Sequence, residues 1–375
     1  MMEFHDVVEI LEAEPASIPS LEGRNIVLYG AGSKGRECLL ALRGAGYSVV
    51  AFIDQTRAGV IDDVPIVKPS DEAVRKLAHA GCVAVVSVFN YTADPLAIAD
   101  LLHGLGFQEI VGFAALRQIF DVGETYWLSL SQAMTPPPSA LDALWSRLED
   151  SISRKTLAEA VALRKTLDVR FLRDLSPGDQ YVPNGVPTPR SRLRFVDGGA
   201  FDGDTLRGLL SVGCDFLATA AFEPDATNYR RLTVSESDKQ LLGERVFLPC
   251  GLGARSGQVR FRSQGLSSSS VAENGDAVVQ IIALDEALPD FRPSYVKLDI
   301  EGSEADAIRG MADTLSTHRP SLAVCVYHKP RDLWEIPGLI DTIMPDTAFY
   351  LRAHAWNGFE LVLYAIPRET SASTG

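Results

Sequence analysis

Hydrophobic residues in this chain fall into short runs, and the spacing between the runs predicts the elements. The stretch "RNIVLYGAGSKGRECLLALRGAGYSVVAFID" reads as a strand, a glycine turn, a helix and a second strand. Further strands are expected in "CVAVVSVF" at 82–89 and "EIVGF" at 110–114, with the helical pattern of "DPLAIADLLHGLG" between them. A helix or extension over 1–22 and a reduced Rossmann-like domain over 23–120 follow from that order. The prolines of "MTPPPSALDALW" interrupt the pattern, and one long helical stretch is expected from Leu141 through "SISRKTLAEAVALRKTL". Residues 121–192 therefore read as a proline-containing and helical bridge.

A second alternating series begins with "LRFVDGG" and continues through "ATAAFEP", "ERVFLPCGLG", "SGQVRF", "VVQIIALD", "SYVKLDIEGSE" and "SLAVCVYHKP". Helices are favoured after Asp225, Ser303 and Asp332, and the serine run "LSSSSVAENGD" reads as a loop. Near the end, "AFYLRAH" and "GFELVLYAI" stand too close for a parallel crossover, so they are expected as an antiparallel pair. The fold class is α/β, with the N-terminal Rossmann-like domain followed over 193–375 by a mostly parallel Rossmann-type sheet ending in an antiparallel hairpin.

A chain of 375 residues can hold more than one core. Its 49 acidic and 35 basic residues give a formal charge of -14, which argues against a broad nucleic-acid surface. The N-terminus lacks the basic and apolar regions of a secretory signal, and no stretch has the apolar length of a membrane-spanning helix. No membrane insertion and a cytoplasmic location are expected. Cys38, Cys82, Cys214, Cys250 and Cys325 form no close pairs and lie in apolar surroundings, the pattern of buried thiols.

Two glycine turns carry different charges. Gly30, Gly32 and Gly35 form a G-x-G-x-x-G turn between strand and helix, and Asp54 closes the next strand. This spacing suits a nucleotide ligand, but it also suits tight packing of helix on strand. In "VDGGAFDGDT" the glycines Gly198, Gly199 and Gly203 come with Asp197 and Asp204, an acidic setting poorly matched to phosphates. Glu223 ends the next strand, where its carboxylate could accept both hydroxyls of a ribose. Adenosine carrying a cationic sulfonium, as in S-adenosyl-L-methionine, fits this chemistry better than a diphosphate; loop capping and solvent-facing acids are the competing reading.

The ordered series "QYVP", "VDGGAFDGDT", "FEPD", "VKLDIEGSE", "VYHKPRDLWEIP" and "LVLYA", spanning roughly residues 150–367, resembles the FkbM-type S-adenosylmethionine-dependent methyltransferases. The resemblance implies a class I methyltransferase-like fold acting on a hydroxyl of a small molecule such as a sugar, a nucleotide-linked sugar or a secondary metabolite. It implies cofactor contacts along Asp197, Gly198, Gly199, Ala200, Phe201, Gly203, Asp204 and Thr205, and at Glu223, Pro224 and Asp225. The N-terminal unit looks like the small Rossmann-like modules attached to some relatives.

An alcohol that accepts a methyl group loses a proton, and a base is expected where parallel strands end. Asp299 and His328 meet that condition. His328, with an ordinary pKa near 6.5, suits the proton, or else orients a loop against a carboxylate. Tyr181, Lys297 and Lys329 are the candidate substrate contacts: Tyr181 as a wall, Lys297 as a partner of a nearby acid, and Lys329 toward an anionic group or solvent. Beside Asp299 and Glu301 no further hard ligand can be placed, so no metal site is assigned. Two other functions stay open: a nicotinamide-dependent oxidoreductase using the N-terminal turn, and a nonenzymatic binding or assembly module in which the proline bridge favours interdomain contacts or a homo-oligomer.

Overall fold

The computed structural model describes residues 4–12, 14–15, 17–120, 126–128, 133–236, 243–262, 270–271 and 277–368. The chain divides into two compact units. The first comprises residues 1–135, 156–175 and 355–360, and the second residues 136–155, 176–354 and 361–375.

Six strands form the sheet of the first unit: β1 (Asn25–Tyr29), β2 (Ser48–Ile53), β3 (Gly59–Ile61), β4 (Val64–Val67), β5 (Val83–Val86) and β6 (Ile110–Val111). Their order is β3-β4-β2-β1-β5-β6, parallel except for β3 against β4. The core lies where Val27, Tyr29, Ala51, Ile53, Val86, Leu102 and Phe107 meet. The β3–β4 hairpin has no counterpart in the sequence reading. Asp62 and Asp63 both take positive φ there (45° and 67°), the two-residue turn that matches the twist of paired strands.

The helical stretch after the prolines differs from the continuous one expected. It forms two helices, Pro138–Arg147 and Ser151–Thr166. Proline at the first helical position sets the start of the former, since its missing N–H would lack an intrahelical partner anyway. The break comes at Leu148–Asp150, where the Asp150 carboxylate accepts from the Ser153 N–H (2.7 Å) and Glu149 N–H turns to the Phe349 carbonyl (3.0 Å).

In the second unit, β7 (Leu193–Gly198), β8 (Phe216–Phe222) and β9 (Glu244–Leu248) are followed by the short strands β10 (Gly251–Leu252), β11 (Gly257–Arg262), β12 (Ser270–Val271) and β13 (Ala277–Ile282), then β14 (Tyr295–Leu298), β15 (Ser321–Cys325), β16 (Thr347–Ala353) and β17 (Leu361–Pro367). The main sheet runs β16-β17-β15-β14-β7-β8-β9, with β17 antiparallel to both its neighbours and the other pairings parallel. The terminal antiparallel pair is as the connection length predicts. Its last strand, however, inserts between β15 and β16, an order that loop length does not encode. Strands β10, β11, β12 and β13 form a separate four-stranded sheet. Most of the serine run expected as a loop, residues 266–269 and 272–276, lies outside the described residues.

Helices Ala226–Glu236, Glu304–Arg309 and Asp332–Ile343 start where the sequence favoured them. Among the described residues no helix is long and apolar enough to cross a membrane. All five cysteines are buried and free, and burial pushes the Cys38 thiol up to about 12 and that of Cys250 to about 11, away from thiolate chemistry.

Candidate active site

Strands β8, β7, β14 and β15 are neighbours and parallel, so their C-terminal ends share one edge of the sheet. The chain leaves β7 toward β8 and later returns on its other side as β14, which puts the topological switch point between β7 and β14. The glycine turn after β7 sits there. Gly199 has φ +79°, and a Cβ on it would lie 1.9 Å from the Asp299 carbonyl oxygen. A side chain at 199 is therefore excluded by the neighbouring strand end itself. The turn is fastened by the N–H groups of Gly199 and Ala200, both donating to the Phe222 carbonyl at 3.0 Å. Phe201 and Gly203 also take positive φ (47° and 87°), and Gly203 opens the helix Asp204–Ser211.

Asp197, expected to face a ligand, is fully buried beneath this turn in an ion pair with Lys297 (Oδ1 to Nζ, 3.1 Å). Lys297 also donates to the carbonyls of Gly199 (2.7 Å) and Gly198 (3.2 Å), and its ammonium lies 5.5 Å from the centre of the Tyr181 ring. Burial raises the Asp197 pKa, partly offset by Lys297. On Lys297 burial acts downward, yet Asp197, Asp299 and Asp204 together hold its pKa above the ordinary value. Lys297 is thus placed under the turn as the counter-ion of Asp197. Asp204 stands exposed at the helix start and accepts from the Thr205 N–H (2.8 Å).

One residue past β8, the Glu223 carboxylate is clamped by backbone donors: Oε2 accepts from Phe201 N–H (2.9 Å) and Oε1 from Asp225 N–H (2.8 Å). Burial outweighs these hydrogen bonds and raises it to about 7. Pro224 is half-buried, while the buried Asp225 caps the following helix by accepting from Thr227 (2.8 Å) and Asn228 (3.1 Å) N–H groups.

Beyond β14 and β15 the structure brings Asp299, His328 and Tyr181 together. The Tyr181 hydroxyl donates to Asp299 Oδ2 (3.2 Å), and His328 Nε2 lies 3.4 Å from Asp299 Oδ1. His328 also faces two acids of the segment "LDIEGSE": Glu301 Oε2 is 3.8 Å from Nε2, and Glu304 Oε1 is 2.9 Å from Nδ1. Burial alone would lower the histidine; Glu304, Glu301 and Asp299 overturn that and push it up to about 10. That shift favours the protonated ring at neutral pH over the free base that an ordinary pKa suggested. Its side chain is 1% exposed against 24% for Asp299, so the carboxylate is the more accessible of the two. Lys329 is exposed and lies along Gly302.

Tyr181 is itself held from below. Its carbonyl accepts from the buried Tyr295 hydroxyl, and the preceding Gln180 carbonyl accepts from Tyr364 (2.5 Å). Neither tyrosine carries a sequence signal for this task, since both sit in ordinary apolar strands.

In the first unit, the Asp54 carboxylate is engaged by backbone donors of its own loop and of the glycine turn after β1. It accepts from the N–H groups of Ala31 (2.8 Å), Thr56 (2.8 Å) and Arg57 (2.7 Å), which outweigh desolvation and lower it to about 2. A Cβ on Gly35 would lie 2.1 Å from the Gly30 carbonyl oxygen, whereas Gly32 faces open space. The packing account thus explains Gly35 and leaves Gly32 without a steric reason.

Residues 197–353 match the methyltransferase FkbM domain. The crystal structure of the methyltransferase FkbM from Methylobacillus flagellatus KT superposes with a TM-score of 0.77 at 22% identity, covering 96% of this chain and 98% of that one, which shows a shared fold. The hexuronic acid methyltransferase AglP of Haloferax volcanii is 29% identical over 103 residues, 26% of this chain and 42% of that protein. The chain thus spans less than half the length of this curated relative.

Proposed function

We propose that this protein transfers a methyl group from S-adenosylmethionine to a hydroxyl oxygen of a sugar-like small molecule. The observation that carries the reading is the arrangement, along one C-terminal edge of the sheet in a region matching the FkbM domain, of the Glu223 clamp on one side of β7 and the Asp299–His328–Tyr181 group on the other. A relative named for hexuronic acid methylation favours a sugar acceptor.

The residues fit that cofactor. Glu223 is buried at the end of β8 with each oxygen holding one backbone donor, which leaves lone pairs for ribose hydroxyls. The backbone of the glycine turn from Gly199 to Gly203 closes the β7 side, and the exposed carboxylate of Asp204 favours a cation over a phosphate. The cofactor, when bound, supplies an electrophilic methyl group and departs as a neutral thioether. The chain has to orient the acceptor, exclude water and receive one proton.

Asp299 receives that proton in this account. As the acceptor oxygen forms its bond to the methyl carbon, its O–H bond breaks and the proton passes to a carboxylate oxygen of Asp299. The Tyr181 hydroxyl and the His328 imidazolium hold that carboxylate in place. His328 acts as a charged partner and not as the first proton acceptor, because its neighbouring acids keep it protonated. Lys329, exposed beside Gly302, is available to an anionic acceptor such as a sugar acid.

Calorimetric titration of the purified chain tests the cofactor half of the proposal. Saturable binding of S-adenosylmethionine, weakened about tenfold or more by Glu223→Ala through the loss of hydrogen bonds to a charged group, is expected. No binding by folded protein up to millimolar cofactor contradicts it.

A further inference from the structure

Resting on the reading of Asp299 as proton acceptor, we infer that Glu304 is a positioning residue: its buried carboxylate fixes the His328 ring through Nδ1 and so presents Nε2 to Asp299. The helix Glu304–Arg309 would gain what a first-turn acid offers from an exposed side chain. Glu304 instead is 0% exposed, a costly place for a carboxylate. The loop before it explains how it gets there. Glu301 and Gly302 take positive φ (55° and 92°), curling residues 299–304 so that Glu304 folds back beneath them. Its Oε1 then accepts from the Ile300 N–H at 2.8 Å and faces His328 Nδ1 at 2.9 Å.

With Nδ1 2.9 Å from the Glu304 carboxylate, Nε2 lies on the other side of the ring, 3.4 Å from Asp299 Oδ1 and 3.8 Å from Glu301 Oε2. This is a buried carboxylate orienting an imidazole whose other nitrogen meets the reacting group, the division of labour of a Ser-His-Asp arrangement. The groups facing the ring from packed elements are Asp299, Glu301 and Glu304 from the β14 side, the Tyr327 ring at 4.2 Å, and Asp332, whose own carboxyl is raised to about 7 by burial and by Glu304. Of these, Glu304 makes the largest contribution to keeping His328 charged after the opposing effect of burial.

Glu304→Gln keeps an oxygen for the Ile300 N–H and removes the charge, so loop geometry and electrostatics separate. In ¹⁵N-histidine spectra of the cofactor-free protein, His328, assigned through loss of its signal in His328→Gln, should remain an imidazolium through pH 8 in the parent chain. In Glu304→Gln it should lose its proton below pH 8. Single-turnover methylation should fall about 10²-fold at saturating acceptor while cofactor affinity holds, and Glu304→Asp should recover part of the rate. A His328 titration unchanged by Glu304→Gln overturns the inference whatever the protein methylates. A shifted titration together with a parent chain that transfers no methyl group overturns the reading of the site on which it rests.

Discussion

Replacing Lys297 by methionine tests the foundation of the site. The side chains of Lys297 and Asp197 are 2% and 0% exposed, and their ion pair lies 3.1 Å across beneath the glycine turn. Methionine fills a similar volume but leaves the Asp197 carboxylate buried without its counter-charge and removes the donor that ties down Gly198 and Gly199. Breaking a buried pair on one side costs about 3–5 kcal/mol. Protonation of Asp197 limits that cost, and the sign follows from linkage. An acid whose folded pKa is raised contributes stability below its unfolded value, near 4, and loses it as pH rises through the folded one. The Lys297→Met loss should therefore be larger at pH 8 than at pH 5, and adding Asp197→Asn should recover at least about 1 kcal/mol of it at pH 8. Because the chain has two units, hydrogen exchange on peptides from β7 and β14 is the suitable assay, with urea denaturation alongside. A loss below about 1 kcal/mol, or no recovery in the double variant, would refute the buried-pair argument.

Gly199→Ala should destabilise the second unit by more than about 3 kcal/mol, since its Cβ overlaps the Asp299 carbonyl at 1.9 Å in a left-handed conformation; a thermal melt within a degree of the parent would contradict this. In the first unit, Gly35→Ala should be strongly destabilising because of the 2.1 Å approach to the Gly30 carbonyl, while Gly32→Ala should stay within about 1 kcal/mol, and denaturant midpoints that reverse this order would contradict the packing account. With Glu223 raised to about 7, cofactor affinity should weaken as pH falls from 8 to 6, and Glu223→Gln should flatten that dependence; calorimetry across the range checks it.

The apolar runs made most strands legible, and residues such as Ser303 and Asp225 marked the helix starts that the backbone follows. What escaped was decided by contacts distant in sequence. The insertion of β17 between β15 and β16 depends on which edge of the sheet remains open, and the helix break at Leu148–Asp150 depends on pairing with Phe349. Within the site, "LDIEGSE" and "VYHK" pointed to Asp299 and His328 on successive strand ends, but the contact of Glu304 with the imidazole could not be seen. Two positive-φ residues fold Glu304 under His328, and that contact is the largest influence raising the histidine against its burial. Asp54 is similar: its place after a strand could be read from the sequence, while its hydrogen bonds from three backbone N–H groups of its own unit could not.

The central claim is that a methyl group passes to a hydroxyl oxygen beside Asp299. Single-turnover reactions with S-adenosylmethionine bearing a deuterated methyl group, run against a panel of sugars, hexuronic acids and nucleotide-linked sugars, test it directly by mass spectrometry of the products. The account predicts an acceptor that gains one labelled methyl on oxygen, with the rate about 10²-fold lower or more in Asp299→Asn and cofactor affinity unchanged. Label found on nitrogen, carbon or sulfur, or transfer to oxygen at an undiminished rate in Asp299→Asn, would contradict it.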